Sequence, residues 1–389
     1  MKNCRRLMAA VFLIGTVFAG AQTIQFPALQ YDIIADTGAE GMIPNLKREL
    51  ELRFGVYNDL FRFDPSLLTS PLRVRVFADG NAYDRYITER LGYTRPGAVY
   101  FHYSQADRRE LVVNRSRDED ASMLSHQAFI QYLRAFIANP PSWMLEGFAI
   151  YFSTLRVLPP ETVDYEENLL WLESAKTMGS DLPSSRAILM ADASGGTGGI
   201  PADFQISSWA FVSFLLNGSV EYFRTLAESF MILSPQARAA ENSLAVMKRF
   251  STWNDIETMD KDFRSYLALR KTYRELMDDG HRYYAQGDIM NAELAFMNAL
   301  DQRPSDYAPY YYLGLISYEE KDYDTAERYY RLSLERGADE ALIYYALGIN
   351  SAGAGRSGEA RNHLQRASSL DPARFRERAD DLLRRMESR

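Results

Sequence analysis

The sequence has little of what several classes of protein require. It has one cysteine, Cys4, and four histidines among 389 residues. Its 44 Lys and Arg are outnumbered by 52 Asp and Glu, for a net charge of −8 without a basic block. Because phosphate contacts need clustered Lys and Arg, nucleic-acid binding is disfavoured. Apart from residues 7–18 there is no long apolar run, which excludes a protein with several membrane spans.

The first 21 residues have the organisation of a secretory signal peptide. A basic start, Lys2 to Arg6, precedes the apolar residues 7–18, and the small residues 19–21 precede Gln22. This apolar run is too short for a membrane-spanning helix, which needs about 20 residues. We therefore expect signal peptide 1–21, export to the periplasm or secretion, and no membrane span in the mature chain. Removal of Cys4 would also leave no disulfide.

The C-terminal third contains an internal repeat. Glycines recur every 34 residues, at Gly280, Gly314 and Gly348, and three further positions keep the same spacing. Small residues at such positions allow two helices to approach closely, and a large apolar residue fills the gap between them. The further sets are Ala292, Ala326 and Ala360; Phe296, Tyr330 and Leu364; and Ala299, Ser333 and Ala367.

This pattern resembles the tetratricopeptide repeat over about residues 273–372. The Gly–Tyr–Ala–Phe–Ala–Pro pattern of the family is complete in the first repeat and loses its tyrosine at Ser317 and Ser351. The resemblance implies an α-α superhelix within a domain at 271–389, followed at 374–386 by a charged capping helix. The three repeats would occupy residues 273–306, 307–340 and 341–374.

In this family the first helix of each repeat lines a groove that binds peptides or protein partners. An aromatic, amphipathic groove suits such a partner because tyrosine buries a large area at low entropy cost. The alternative is that these tyrosines pack against the preceding domain or the next repeat. The resemblance places these side chains in the groove: Met277, His281, Tyr284, Tyr311, Leu315, Tyr318, Tyr345 and Ile349.

Residues 22–270 indicate a domain that mixes strands and helices. Helical spacing predicts helices at 44–61 and 81–91, and from residue 118 the pattern is helical almost to 279. The Gly-rich run 194–199 is expected to be a surface loop, because no Gly-Lys-Ser/Thr follows it as in a phosphate loop. We expect 110–114 to be an edge strand able to add an extended peptide. The predicted strands are 31–35, 72–78, 99–103 and 110–114.

Residues 121–152 carry the most specific signal of this domain. A predicted helix with His126 is followed by a second helix with the sequence Trp143-Met-Leu-Glu146-Gly147. In zinc peptidases a first helix supplies His-Glu-x-x-His, and a second often supplies a Glu ligand. The layout resembles the peptidase-MA-like gluzincin family over most of 22–270. The implied fold is α+β, a small mixed sheet with a gluzincin-like helical half, followed by the superhelix of repeats.

The first helix departs from the family's motif at two positions. His126 and Glu146 match ligand positions, whereas Gln127 replaces the catalytic Glu and Ile130 replaces the second His. Catalytic zinc sites keep three protein ligands and a water. A carboxamide is no general base near neutral pH. We therefore expect no catalysis and no cofactor, with His126 hydrogen-bonded to Glu146 or Gln127 as a relic of the site.

Other candidate metal ligands have simpler explanations. His102 lies in the predicted strand 99–103 near the expected cleft, where a hydrogen-bonded strand histidine is the ordinary interpretation. The acidic residues 118–120 precede a helix, and carboxylates there favour the helix dipole. Trp143 and Tyr151 are expected in the core rather than in contact with a substrate.

Three hypotheses for function follow. The main one is an exported, non-enzymatic protein, with a degenerate peptidase domain as a rigid binding module and repeats that recruit a protein partner. The rival is an active or atypical zinc-dependent gluzincin peptidase of the cell envelope, for which zinc would be the cofactor. In a third, the repeats carry all of the function and the N-terminal domain is a spacer.

Overall fold

The computed structural model describes residues 31–68, 70–116, 121–158, 162–165, 167–191 and 200–387. The predicted signal peptide, the acidic residues 118–120 and the Gly-rich run 194–199 lie outside the described residues. The chain divides into two compact units, Met1–Leu269, the N-terminal unit, and Arg270–Arg389, the repeat unit. Within the described ranges, no helix combines the length and apolar character that crossing a membrane requires.

A four-stranded mixed sheet opens the described part of the N-terminal unit. The strands are β1 (Tyr31–Ala35), β2 (Leu72–Phe77), β3 (Ala98–Phe101) and β4 (Glu110–Asn114). Their order in the sheet is β1-β2-β4-β3. β2 is parallel to both β1 and β4, and β3 is antiparallel to β4. The prediction that residues 110–114 form an edge strand is therefore wrong, since β4 lies between β2 and β3.

The burial of β4 gives the physical reason. Leu111, Val112 and Val113 are all buried, so this strand is covered on both faces, as a sheet interior requires. The antiparallel edge strand is instead β3, which a short connection joins to β4. A run of consecutive apolar residues was the signal that distinguished the interior strand from an edge.

Two helices connect the strands. Helix α1 (Ile43–Phe61) has Pro44 in its first turn and ends where Arg62 adopts a left-handed conformation with φ of 55°. Its apolar face is buried in the main core, as the helical spacing predicted. Helix α2 (Gly80–Leu91) begins at Asp79, whose carboxylate accepts a hydrogen bond from the Asn81 amide at 2.9 Å.

Helices form most of the rest of this unit. They are α3 (Ala121–Phe136), α4 (Ser142–Tyr151), α5 (Leu169–Met178), α6 (Ser185–Met190), α7 (Ala202–Asn217), α8 (Val220–Met231), α9 (Ala239–Trp253) and α10 (Ile256–Leu269). A small antiparallel hairpin, β5 (Arg156–Leu158) with β6 (Thr162–Asp164), interrupts them. The sequence pattern predicted helix here, which is wrong. The β-branched residues and the two prolines at 159–160 of the sequence favour strands and a turn.

The repeat unit consists of three helical hairpins and a final helix. The hairpins are α11 (Tyr273–Ala285) with α12 (Ile289–Gln302), α13 (Tyr307–Glu319) with α14 (Tyr323–Glu335), and α15 (Glu340–Gly353) with α16 (Ser357–Leu370). Helix α17 (Pro372–Glu387) buries Phe375 and Ala379, in agreement with the expected capping helix.

The glycine of each repeat lies where the two helices of a hairpin cross. A Cβ atom at Gly280 would lie 2.5 Å from Phe296, one at Gly314 would lie 2.6 Å from Tyr330, and one at Gly348 would lie 2.7 Å from Leu364. These distances are far below van der Waals contact, so a side chain at any of the three glycines would force the helices apart. The 34-residue register predicted from the sequence is confirmed.

Candidate functional site

Helix α3 is held in place by a buried hydrogen-bond network at its first turns. The Tyr57 hydroxyl donates to the Ser125 carbonyl at 2.9 Å, and Arg53 Nε donates to Ser125 Oγ at 3.0 Å. Ser125 Oγ in turn donates to the Leu155 carbonyl at 2.8 Å. Because Ser125 precedes His126, these bonds fix the direction of the histidine-bearing face.

Helix α4 crosses α7 so closely that only glycine fits at the contact. A Cβ atom at Gly147 would lie 2.5 Å from the Ser208 carbonyl oxygen and 2.7 Å from Val212. The neighbouring Glu146 is thereby held between the two helices, with 5% of its surface exposed. Trp143 and Tyr151 are buried in the core, as expected.

Gln127 bonds to the edge strand of the sheet. Its Oε1 accepts a hydrogen bond from the Tyr100 amide of β3 at 2.9 Å. This amide points away from β4, since alternate residues of an antiparallel edge strand direct their backbone groups outward. The residue at the general-base position of the family's motif therefore joins α3 to β3.

Glu146 has a hydrogen-bond partner other than histidine. Gln205 Nε2 of α7 donates to Glu146 Oε2 at 3.4 Å. Burial raises the pKa of the Glu146 carboxyl, and Gln205, Arg134 and Arg95 oppose that rise. Our expectation that His126 bonds to Glu146 or Gln127 is wrong: among the described residues, no hydrogen bond joins His126 to either.

The two histidines of this region are held neutral. Burial lowers the pKa of His126 to about 4, and the positive charge of Arg95 adds to that effect. Loss of solvation, with Arg134 and Arg109, likewise lowers the pKa of His102 to about 4. Ile130 is half-buried and packs against the core. Near neutral pH the region therefore holds neutral imidazoles beside arginine side chains.

These residues do not fit a catalytic zinc ion. The donor set consists of His126 and Glu146, and Arg95 lies close enough to both to shift their pKa values. A cation next to the ligands opposes the approach of a second, divalent cation. Within the described ranges, no group of three or more His, Cys, Asp or Glu side chains is placed to hold a metal.

Gln205, Arg134 and Arg95 also belong to this site, although no motif of the sequence predicted them. Arg134 had a signal, because it follows Ile130 by four residues and so shares the face of α3 that carries His126. Arg95 precedes β3, and Gln205 lies on α7, 59 residues after Glu146. No spacing rule connects such distant positions, so only the folded chain brings them to Glu146.

The repeat unit contains the second candidate site, the groove side chains of its first helices. In the first repeat Met277 is buried, with 8% of its surface exposed. The ring of His281 lies 4.5 Å from that of Tyr312 in the next repeat. The Tyr284 hydroxyl donates to Glu319, and this bond joins α11 to α13.

The other groove side chains lie on α13 and α15. Tyr311, Leu315 and Tyr318 are half-buried and pack beside a core that includes Tyr330. Tyr345 lies 4.9 Å, ring to ring, from Phe375 of α17, so the capping helix covers part of it. Ile349 is half-buried.

Comparison with known proteins finds likeness among solved structures. No family model matches the chain, and no curated protein matches it. One similar structure is the first repeat domain of Spaghetti (RPAP3) bound to an HSP90 peptide, with 20% identity over 30% of this chain and 90% of that chain, at TM-score 0.28. A second is the Arabidopsis OM64 TPR domain, with 17% identity over 29% of this chain and 94% of that chain, at TM-score 0.27. A third is MamA from Desulfovibrio magneticus RS-1, with 18% identity over 44% of this chain and 96% of that chain, at TM-score 0.25.

At these TM-scores the likeness by itself carries no argument. The hairpin geometry of this chain identifies the repeats: three helix pairs in a 34-residue register, each with a glycine against a large side chain of its partner helix. The C-terminal unit is thus built of three helical hairpins in one register, as the resemblance to tetratricopeptide repeats implies. The gluzincin resemblance of the N-terminal unit stays a prediction.

Proposed function

We propose that this chain is an exported, non-enzymatic protein whose repeat unit binds a peptide segment of a protein partner. The observation that supports this most directly is the half-buried tyrosine set on the first helices, Tyr284, Tyr311 and Tyr318. A fully buried ring has no area left for a ligand, whereas a half-buried ring is already ordered and still exposes surface. Ordered tyrosines bind at low entropy cost.

The polarity of this groove favours an uncharged or mildly basic segment. The eight groove side chains include no Lys or Arg, and one of them, Tyr284, donates a hydrogen bond to the Glu319 carboxylate. Tyrosine hydroxyls donate and accept hydrogen bonds, and their rings pack on apolar side chains. We therefore expect peptides rich in aliphatic residues and poor in acidic ones.

We further propose that the N-terminal unit is a pseudopeptidase. Three features support this proposal: Gln127 is bonded to Tyr100, Glu146 is bonded to Gln205, and Ile130 is packed into the core. A general base must be free to contact a water molecule and must have a suitable pKa. Neither condition is met at the position of Gln127.

The groove proposal is tested with peptides selected by the full chain from a random library displayed on phage. Affinities of the selected peptides are then measured by isothermal titration calorimetry. We expect Tyr311→Ala to weaken binding about tenfold, as the loss of a central aromatic contact does. Tyr307→Ala is the matched control, because Tyr307 lies on the same helix, is 45% exposed and is not among the groove side chains.

Two results would contradict the groove proposal. One is a selection that yields no peptide with saturable binding. The other is an equal loss of affinity in Tyr307→Ala and Tyr311→Ala, which would place the binding surface elsewhere on α13.

The pseudopeptidase proposal is tested by the zinc content per chain after dialysis, measured by atomic emission. We expect far less than one zinc per native chain. The double variant Gln127→Glu with Ile130→His supplies a third ligand and a base, so its zinc content should rise. Near-equimolar zinc in the native chain would instead favour the rival zinc peptidase. No gain in the double variant would mean that Glu146 does not face His126.

Export is tested by N-terminal sequencing of the secreted or periplasmic protein. We expect the mature chain to begin at Gln22 or close to it, because small residues precede that position. A mature protein that begins at Met1 would contradict the signal-peptide prediction.

A further inference from the structure

An open pocket of about 620 Å³ lies where the ends of four helices meet in the N-terminal unit. Trp253 and Asn254 enter it from the end of α9, Tyr222 from the first turn of α8, Asp255 from the position before α10, and Asp262 from α10 itself. We call it the acidic pocket. Its volume lies within the range of small-molecule sites, about 300–1,000 Å³.

One carboxylate of the acidic pocket contacts a tyrosine hydroxyl group. Asp262 Oδ2 accepts a hydrogen bond from the Tyr222 hydroxyl at 2.6 Å. Burial raises the pKa of Tyr222, and the charges of Asp262, Asp255 and Glu221 all add to that rise. Asp262 is in direct contact with Tyr222, whereas the Asp255 carboxylate accepts hydrogen bonds from the Thr258 amide at 3.1 Å and the Thr258 hydroxyl at 2.6 Å.

Few positive charges compensate these carboxylates. The side chains that line the pocket include no Lys, Arg or His. Lys261 lies near Asp255 without lining the pocket, and Arg249 forms an ion pair with Glu228 at 3.4 Å. The field inside the pocket is consequently negative and favours a cation.

Trp253 offers this cation an aromatic surface. The indole is 62% exposed, which is unusual for so large an apolar ring. The guanidinium carbon of Arg249 already lies 5.9 Å from the ring centroid, so the ring is in the range of a cation–π contact. Asn254 is held by a hydrogen bond of its side chain to Thr225 Oγ1 at 3.2 Å, which gives the neighbouring Trp253 a fixed base.

We propose that the acidic pocket binds an organic cation, a guanidinium or ammonium group on a short apolar stem, with Trp253 as the platform and Asp255 and Asp262 as counter-charges. The apolar stem packs on the indole, and the charged head is attracted to the carboxylates. A neutral sugar is a poorer fit, because it carries no charge that the negative field of the carboxylates would attract. This site is independent of the repeat groove.

The test uses the full chain and n-butylguanidine, with the neutral and isosteric n-butylurea as its counterpart. A second pair of probes is a capped Gly-Arg-Gly tripeptide and the same tripeptide with citrulline in place of arginine. Binding is measured by isothermal titration calorimetry at low and high salt. We expect only the charged member of each pair to bind, and to bind more weakly at high salt. The probe that binds more tightly distinguishes a small free guanidinium compound from an arginine side chain of a partner.

Variants separate the contribution of the Trp253 ring from that of the Asp262 carboxylate. Trp253→Ala should weaken binding of the charged probes about tenfold, and Asp262→Asn about threefold to tenfold. Trp253 is largely exposed, so its removal leaves the core intact, and asparagine still accepts the Tyr222 hydrogen bond. Glu257→Gln is the matched control, because Glu257 is an exposed carboxylate of α10 that does not line the pocket.

Four outcomes would overturn the proposal. Equal binding of the charged and neutral probes would mean that charge does not decide recognition. Tighter binding of N-acetylglucosamine than of any charged probe would make this a sugar site. An equal effect of Glu257→Gln and Asp262→Asn would show a general surface attraction rather than a pocket. The absence of saturable binding by either charged probe would also overturn it.

Discussion

The α4–α7 crossing of the N-terminal unit and the hairpins of the repeat unit both depend on glycine, but in different ways. At Gly147 an added Cβ atom would meet the backbone of Ser208, whereas at Gly280, Gly314 and Gly348 it would meet a side chain of the partner helix. The repeat contact occurs three times and has its own period. The crossing at Gly147 occurs between segments about 60 residues apart. The glycine contact of the repeats could be predicted from the sequence because it recurs. The contact at Gly147 occurs once and could not be predicted.

A charge placed at a helix crossing of the repeats should have the largest effect. Ala326 is fully buried, so Ala326→Arg should destabilise the repeat unit by about 4 kcal/mol through overpacking and an unpaired buried charge. Tyr311→Ala should cost only about 1 kcal/mol, because Tyr311 is half-buried. Differential scanning calorimetry of the full chain gives both values. The reverse ranking would mean that Ala326 does not lie at a crossing.

The glycine comparison can be tested next. Gly147→Ala should destabilise the N-terminal unit by about 3 kcal/mol, because a backbone carbonyl cannot move away alone. Gly314→Ala should cost about 2 kcal/mol, since the Tyr330 ring can shift slightly. Gly55→Ala is the control: it lies inside α1 with open space around it, and alanine there should add about 0.5–1 kcal/mol.

The relative cost of Gly147→Ala and Gly314→Ala shows which of the two glycine contacts is the more rigid. If Gly147→Ala melts at the wild-type temperature, α4 and α7 do not cross as closely as described. If Gly314→Ala costs more than Gly147→Ala, side-chain packing in the repeats is the more rigid of the two contacts.

A pH dependence of stability is also expected for the N-terminal unit. The folded pKa of His126 is about 4, below the ordinary value of about 6.5, so between these values the unfolded chain binds more protons. Stability from this residue is therefore lost as the pH falls from about 6.5 to 4. From pH 7 to pH 4 the wild type should lose on the order of 2 kcal/mol more than His126→Gln.

An NMR titration of the imidazole signals gives a direct measurement of the same property. The signal that disappears in His126→Gln should have its midpoint near pH 4. In Arg95→Gln this midpoint should move upward, because a positive charge near the imidazole is removed. A midpoint near 6.5 in the wild type would mean that His126 is solvated and that the cleft is open to water.

Local patterns explain which elements could be predicted. Helix α1 has a regular apolar face and a proline in its first turn, and the second helices of the first two repeats begin at the side-chain caps Asp288 and Asp322, which are 34 residues apart. Such signals lie within one turn of the element that they define. The hairpin β5–β6 had a weaker local signal, and the surrounding helical pattern concealed it.

The sequence by itself determined the hairpins of the repeat unit, because the glycine contact inside each hairpin joins residues 16 positions apart and recurs every 34 residues. It also determined which residues of the zinc-peptidase pattern are absent, since His126, Gln127, Ile130 and Glu146 are read directly. Only the tertiary structure decided that β4 is an interior strand and that Gln127 bonds to Tyr100, 27 residues away. The same holds for Gln205 and the arginines near Glu146. Their distances depend on how the helices pack against the sheet, and no local pattern in the chain contains that information.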